Sequence, residues 1–545
     1  MTEGTRAKSR RLTGAAWLVL ASVSSVTLLT GMVLAPRAEI CTQEPSVTLN
    51  FVGDILLASS VGTLIAREGP VAPWEGVKAT LAEADFTVGN LECAVGTTGA
   101  PTPDKSYTFR ADPVSVQGLV EAGFDLVSLA NNHTLDFGTE CMLETIGHVS
   151  AAGIVPIGAG KNEASARAPH ILEKNGIKIG FLATNMVVPT IAWAAKGQTP
   201  GMAVDYSEWN DNIVSRIRDL SNEADIVVVL IHWGEERKTQ LEDWVVRMEE
   251  TLRQAGADII IGTHPHVLQG IRYDGETVTA HSLGNFVFTT RDDFPACQAG
   301  GILRISVSSK GIREVQFLPT KIVWGKTHMV SGQEKSSAIA SLAVLSRPFG
   351  ADLDPEGFVL PISFADMWGH WARFTVARMS RIGIVEGYDD GKFRPERQVT
   401  KGEFAALFSR AMAEPQELES ATDPESFDLC PAGHWAYPYL RYLASQGWIS
   451  PSDQSWVPDL PCSRGDVARI MWMAKGCPAT PDGSPNATER FSDLAELDPQ
   501  LLAVASWATS SGLLKGYPDN TLRLEGTITR AEVCEMLWRY CRLLW

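Results

Sequence analysis

Asp258-Ile-Ile-Ile-Gly-Thr-His-Pro-His266 is a short apolar run that ends in two histidines held by a proline. A run of this length, bounded by a turn signal, predicts a buried strand over Asp258 to Gly262. The same pattern recurs four times. Val47 to Val52 leads into Gly53-Asp54, Phe86 to Gly89 into Asn90-Leu91-Glu92, Leu126 to Ala130 into Asn131-Asn132-His133, and Ile226 to Ile231 into His232-Trp233-Gly234. Helical stretches lie among them: Pro113 to Ala122, Thr139 to Ala152, Ser207 to Ser221 and Glu242 to Ala255. Such alternation predicts an α/β domain. Ligands in open α/β sheets gather beyond the carboxyl ends of strands, so side chains as distant in sequence as Asp54 and His266 can meet.

The run endings supply a candidate ligand set of Asp54, Glu92, Asn132, His232, His264 and His266. Mixed carboxylate, amide and imidazole donors suit Mn, Zn, Fe or Mg. The expected arrangement is a pair of divalent ions bridged by Glu92, with Asp54 and His266 on one ion and Asn132, His232 and His264 on the other. Two such ions activate water, orient a phosphoryl group and neutralise developing charge. His133, beside Asn132, is the candidate proton donor to a leaving oxygen, because imidazole titrates near neutrality. Each residue also has a structural reading: Asp54 as a cap, Asn131-Asn132 as turn formers, His232 as a buried hydrogen-bonded ring. A proline-held histidine pair is an uncommon way to build a core, and the six together weigh against the structural readings. Arg110 and Asn285 are candidates for contact with an anionic substrate. His281, Ser282 and Asn285 could equally orient the ligands or serve the strand and turn.

With 545 residues the chain is long enough for two to four domains. Its 47 basic and 64 acidic residues give a net charge of −17, which argues against general nucleic-acid binding. Nine scattered cysteines form no Cys-x-x-Cys pair and suggest no metal cluster of their own. Residues 1–11 are basic, and Leu12 to Pro36 is uncharged throughout. A membrane crossing needs about 20 apolar residues, so 12–36 reads as an uncleaved signal anchor that leaves the rest of the chain outside. A cleaved signal peptide is the alternative.

Lys326 to Pro361 is polar and weakly patterned, and 326–360 reads as a linker with one short helix after a domain over 46–325. Beyond it Phe364-Ala-Asp366, Phe427-Asp428 and Phe491-Ser-Asp493 open three units spaced by 63 and 64 residues. Each unit has an apolar helix, a turn and a second helix, beginning at Thr400-Lys-Gly-Glu403, Ser463-Arg-Gly-Asp466 or Thr529-Arg-Ala-Glu532. A fixed period of this kind signals repeats that share a core. Thr400 with Glu403 and Thr529 with Glu532 form capping boxes. Lys401, Arg464 and Arg530 place a cation at the first helical position, against the helix dipole. An anion held by those cations and the free N–H groups would resolve that conflict. Trp371 and Trp435 read as core packing in preference to sugar-stacking faces.

Phe51-Val-Gly-Asp54, Gly89-Asn-Leu-Glu92, Ala130-Asn-Asn-His133, His232-Trp-Gly234, Gly262-Thr-His-Pro-His266 and Ser282-Leu-Gly-Asn-Phe286 together resemble the CapA family. These are poly-γ-glutamate capsule biosynthesis proteins of the calcineurin-like metallophosphoesterase superfamily. The resemblance implies a four-layer α-β-β-α sandwich and metal ligands at the six positions above. It departs from the superfamily at Leu56, which stands where an Asp-x-His motif has its histidine. Residues 361–414, 424–476 and 488–545 resemble S-layer homology (SLH) domains, a mostly α-helical three-repeat array. That resemblance implies binding of an anionic secondary cell-wall polysaccharide. The combined expectation is an exported, wall-tethered dimetal hydrolase acting on a phosphate ester or a related anionic envelope substrate such as poly-γ-glutamate. The alternative is a non-catalytic scaffold that binds the capsule polymer. An amide-transfer role would need an activated nucleophile, and no Ser or Cys has a clear base partner.

Overall fold

A computed structural model describes residues 45–206, 211–289, 293–424, 427–480, 487–495 and 497–544. The signal-anchor stretch 12–36 lies outside them; among the described residues no helix is long and apolar enough to cross a membrane.

The five strand expectations are met. In chain order the strands of the two large sheets are β1 (Val47–Ile55), β2 (Phe86–Leu91), β3 (Leu126–Ser128), β4 (Val155–Ile157), β5 (His170–Lys174), β6 (Ile177–Asn185), β7 (Ile226–His232) and β8 (Ile259–Thr263). They continue with β9 (Ile271–Tyr273), β10 (Val278–Ala280), β11 (Asn285–Val287), β12 (Ala299–Ser308), β13 (Gly311–Val323) and β14 (Lys326–Met329). One sheet has the order β14-β13-β12-β1-β2-β3-β4, with β11 beside the end of β1. The other has the order β9-β10-β8-β7-β6-β5. β1 to β4 run parallel, as do β6, β7, β8 and β10.

Alternation along each strand divides its side chains between two cores. Leu49, Phe51, Val228, Leu230, Ile259 and Ile261 meet between the sheets. Val227, Val229 and Ile231 turn the other way, onto α4 (Asp211–Leu220) and α5 (Asp243–Ala255). Val52, Ile55 and Val127 pack outward with α1 (Ser59–Glu68), α2 (Val116–Ala122) and α3 (Gly138–Ala151). The result is an α-β-β-α sandwich in which the parallel strands of both sheets deliver their carboxyl ends to one rim.

Residues 326–360 are not a linker. β14 extends the first sheet, and α6 (Gly332–Ser346) buries Ile339, Leu342 and Ala343 in the inter-sheet core. The polar composition that suggested a linker is the outer face of α6, where Ser336, Ser337 and Ser341 are exposed. A hairpin of Ala351–Leu353 and Val359–Pro361 follows.

The C-terminal region is helical and closes on itself. Its longer helices are α7 (Arg373–Arg381), α8 (Lys401–Met412), α9 (Tyr437–Ser445), α10 (Arg464–Ala474), α11 (Pro499–Ser510) and α12 (Arg530–Leu544). The second helix of each repeat packs on the first helix of the next: α8 on α9, α10 on α11, and α12 back on α7. One core runs through all three repeats. Thr400 and Ser463 accept from the N–H groups of Glu403 and Asp466 in closed capping boxes, and Thr529 with Glu532 does the same.

Gly53 shows how closely the rim is built. A Cβ there would lie 1.8 Å from the Gly284 carbonyl oxygen, which accepts from the Asp54 N–H at 3.0 Å. Gly53→Ala must push β1 away from Gly284 and is expected to destabilise the domain by about 3 kcal/mol. Urea unfolding of the variant would check this; an unchanged midpoint would mean that the strands do not approach so closely.

Candidate metal centre

Asp54 lies near the end of β1, Glu92 stands one residue past β2, His232 closes β7, and His264 and His266 follow β8. The shared rim therefore brings together all six candidate ligands. Asp54 Oδ2 lies 3.1 Å from His266 Nδ1, and Asn132 Oδ1 lies 3.1 Å from His232 Nε2. Glu92 stands between these pairs, its Oε1 3.7 Å from His232 Nε2 and 3.8 Å from His266 Nε2. The His264 ring meets the His232 ring edge-on at 4.7 Å. Donor atoms of Glu92, His264 and His266 all fall within 4.8 Å of one another.

Both Glu92 oxygens and His264 Nδ1 are buried with no hydrogen-bond partner. A buried polar group left so costs roughly 1–3 kcal/mol, and a charged one more. A divalent cation accepts lone pairs from all three, so the residues fit a metal.

Electrostatics point the same way. Burial, with the Asp54 carboxylate nearby, holds the pKa of Glu92 well above the usual carboxylate range. Burial followed by the neighbouring histidines holds His232 well below the ordinary imidazole value, and burial with His266 beside it pushes His264 down to about 3. Burial opposes charge on His266 too, but the contact with Asp54 outweighs it and raises that pKa. Neutral rings with an available lone pair are what a metal requires of imidazole. His264 and His266 hold positive φ values of 98° and 59°. Such conformations cost on the order of 1–3 kcal/mol each outside glycine and persist where surrounding structure imposes them.

Neighbouring side chains fix the ligands. Asn90 Nδ2 donates to Asp54 Oδ1 at 2.9 Å, and Asn131 Nδ2 donates to Asn90 Oδ1 at 3.0 Å. Thr263 Oγ1 lies 3.0 Å from His232 Nδ1. Asn285 turns Oδ1 to His266 Nδ1 at 2.9 Å and donates Nδ2 to the Cys297 carbonyl at 3.0 Å. Both its polar atoms are engaged, and Asn285 also lines the cleft beside the centre. His281 belongs to another network, with Nε2 3.0 Å from Glu249 Oε2. Leu56 is fully buried in the helix-side core and offers no donor.

A family model for "Bacterial capsule synthesis protein PGA_cap" matches residues 48–290, and one for the S-layer homology domain matches 363–405 and 490–534. The PGA biosynthesis protein CapA of Bacillus subtilis (strain 168) is 32% identical over 282 residues, covering 50% of this chain and 73% of that protein. The chain belongs to the CapA capsule synthesis family. The capsule biosynthesis protein CapA of Bacillus anthracis is 30% identical over 249 residues, 45% of this chain and 61% of that one. A solved structure titled as a novel phosphatase from Mycoplasma pneumoniae aligns with a TM-score of 0.32 and 15% identity, over 51% of this chain and 94% of its own. This CapA-family chain carries SLH domains, which associate with the cell wall at the cell surface.

In this CapA-type centre His133, the candidate proton donor, is held by two neighbours. Asp136 Oδ2 lies 2.7 Å from its Nδ1, and burial holds the ring's pKa below the ordinary imidazole value. Lys105 Nζ donates to the Asn132 carbonyl at 2.6 Å, pairs with Asp136 Oδ1, and lies 3.0 Å from His133 Nδ1. Neither Lys105 nor Asp136 stood out in the sequence, because each follows a motif without ending an apolar run. A cleft of about 160 Å³ opens beside the centre, lined by Tyr107, Phe109, His133, Glu236, Arg237 and Phe288 among others. Its cation is Arg237, hidden in the charge run Glu235-Glu236-Arg237. Arg110 instead donates to the Thr98 carbonyl at 2.8 Å and lies over the Phe137 ring.

The SLH array corrects a second expectation. Helix-start N–H groups thought free for an anion are taken by carbonyls of the next repeat. Lys401 and Gly402 donate to Leu460 and Pro458, Arg464 and Gly465 to Gly526 and Leu524, and Arg530 and Ala531 to Arg397 and Pro395. The cations themselves are buried at these junctions. Lys401 pairs with Asp466 at 2.7 Å, Arg464 lies 3.5 Å from Glu532, and Arg530 donates to the Glu386 and Phe393 carbonyls. Trp371 and Trp435, expected in the core, are 56% and 53% exposed.

Asp136→Ala would leave the Lys105 ammonium buried opposite no carboxylate. Breaking a buried pair from one side typically costs 3–5 kcal/mol, so a loss of about 3 kcal/mol is expected in urea unfolding. Wild-type stability in that variant would show that the pair contributes nothing.

Proposed function

We propose that the chain is a wall-tethered, metal-dependent hydrolase acting on a phosphate ester or a related anionic envelope substrate. The buried, unpartnered Glu92 carboxylate among three imidazoles carries this reading. Asp54, Glu92 and His266 would hold one divalent ion, and Asn132, His232 and His264 with Glu92 a second. When bound, such ions neutralise phosphoryl charge and lower the pKa of water. The remaining roles fall to the protein itself. His133, held by Asp136, protonates the leaving oxygen when its ring carries a proton on each nitrogen, and Lys105 pairs with Asp136. Arg237 meets negative charge on the substrate, while Tyr107, Phe109 and Phe288 exclude water from the cleft. Leu56 removes one donor from the first motif, and this favours a second reading, a non-catalytic polymer-binding centre on the same scaffold.

At the other end, a cleft of about 230 Å³ between Tyr388, Glu403, Arg410, Trp435 and Arg530 is the proposed seat of an acidic wall polysaccharide. The half-exposed Trp435 supplies a stacking face, and Arg410 and Arg530 line the cleft. The uncharged stretch 12–36 is the proposed membrane anchor.

After equilibration with Mn, Zn, Fe or Mg and dialysis, the purified ectodomain is expected to retain divalent metal and to hydrolyse a generic phosphoester. Glu92→Gln and His264→Ala should each lose metal by at least about tenfold, with the circular dichroism spectrum unchanged. Metal retention without hydrolysis would select the scaffold; full activity in His264→Ala would refute the ligand assignment. Arg530→Ala is expected to weaken binding to isolated cell walls about tenfold, an effect worth roughly 1.4 kcal/mol. Undiminished retention in a sedimentation assay would remove this cleft from wall binding.

A further inference from the structure

Glu236 and Arg237 are neighbours in sequence, and both line the cleft beside the metal centre. Consecutive side chains of an extended segment point opposite ways, so sending two into one hollow takes a turn of the backbone. Arg237 supplies it with a φ of 65°, fixed by its N–H donating to the Pro265 carbonyl at 2.7 Å. A left-handed conformation is unfavourable outside glycine, and residues held in one gather at ligand sites.

Glu236 is exposed, and among the described residues it enters no ion pair. The cations around it are engaged. Lys238 pairs with Glu235, Lys105 pairs with Asp136, and the Arg237 guanidinium lies 5.3 Å from the Phe294 ring centroid. After burial and Asp54, the Glu236 carboxylate is the next charge to act on Glu92 and on His266, so it faces the centre. A free carboxylate beside a phosphoester site repels a substrate that is anionic throughout and favours one that brings a positive charge of its own. Much of the remaining wall is aromatic. Phe109 meets the His133 ring at 4.6 Å, Phe288 meets the His266 ring at 4.8 Å, and the 63% exposed Tyr107 stacks on Phe109 at 6.4 Å. Aromatic faces attract ammonium groups, so rings and carboxylate ask for the same ligand.

We propose that this cleft selects a phosphoester whose alcohol carries an ammonium group, with Glu236 and the rings of Tyr107, Phe109 and Phe288 holding the cation. The proposal rests on the phosphoester reading of the metal centre and names a substrate class for it. Choline and ethanolamine phosphates have the required form, a phosphoryl oxygen two carbons from the nitrogen. The cleft of about 160 Å³ has room for so small a head.

Two uncleavable ligands of one shape separate charge from size: (2-trimethylammonioethyl)phosphonate, and (3,3-dimethylbutyl)phosphonate, in which carbon replaces the charged nitrogen. In calorimetric titration of the manganese-loaded full chain, the ammonium ligand is expected to bind about tenfold more tightly than its neutral-tailed twin. Glu236→Gln should cut that preference at least about threefold, while the dimethylbutyl ligand binds as before. Equal affinities in the wild type, or a preference untouched in Glu236→Gln, would overturn the proposal. So would binding of neither ligand, and metal analysis of the same sample then shows whether the metal reading has fallen with it. A preference for the ammonium ligand in a protein that hydrolyses no phosphoester would remove the hydrolase and keep the recognition. Vesicles of phosphatidylcholine identify the source: competition with the soluble ligand assigns a lipid head group, and its absence a soluble ester or polymer substituent, the ammonium being required in both.

Discussion

A carboxylate with no donor in reach, sealed at the meeting point of two sheets, is the constraint around which the catalytic-type domain is built. Glu92 can be placed there only because β2 ends where β1, β7 and β8 end, so three imidazoles and a second carboxylate arrive within a few ångströms of it. The backbone gives way to permit this. Gly53 lets β1 touch the Gly284 carbonyl, and His264 and His266 take up positive φ values around a proline. Such conformations are unfavourable on their own and are held by the surrounding network of Asn90, Asn131, Thr263 and Asn285.

Much of this was legible because the ligands sit at changes of texture. Each follows an apolar run, and a polar residue at such a boundary must face either solvent or a site. The four-layer packing was expected from the family resemblance: Ile226 to Ile231 is apolar throughout, and only the structure sends Val227, Val229 and Ile231 into a different core from Val228 and Leu230. Lys105, Asp136 and Arg237 were not legible for the complementary reason. They lie in polar surroundings, and only the folding of loops onto the rim gives them partners. The same limit explains the supposed linker: α6 has a narrow apolar stripe, and only the inter-sheet core reveals what Ile339 and Leu342 contact.

The SLH array errs in an instructive direction. A cation at the first turn of a helix conflicts with the dipole when the helix stands alone, and the sequence displays each helix only in that condition. In the closed ring the next repeat supplies carbonyls to the helix start and, for Lys401, the Asp466 carboxylate. The conflict is thus settled inside the protein, and the same contacts lock repeat to repeat. The middle repeat, which the family model does not match, lacks the Gly-Tyr-Asp-Asp turn but keeps its capping box and its place in the ring. Closure demands the helix ends, and the turn is free to vary.

Closure also governs how the two halves of the chain are joined. The helix that completes the ring, α12, packs on α7, and α7 presents Arg373, Arg378 and Arg381 to the sandwich. Arg373 donates to Asp352 at 3.0 Å and Arg381 to the Ile312 carbonyl at 2.9 Å, so charged and polar contacts help to dock the array. That junction also fixes direction, because the array docks at the amino end of β1 while the metal centre opens at the carboxyl end.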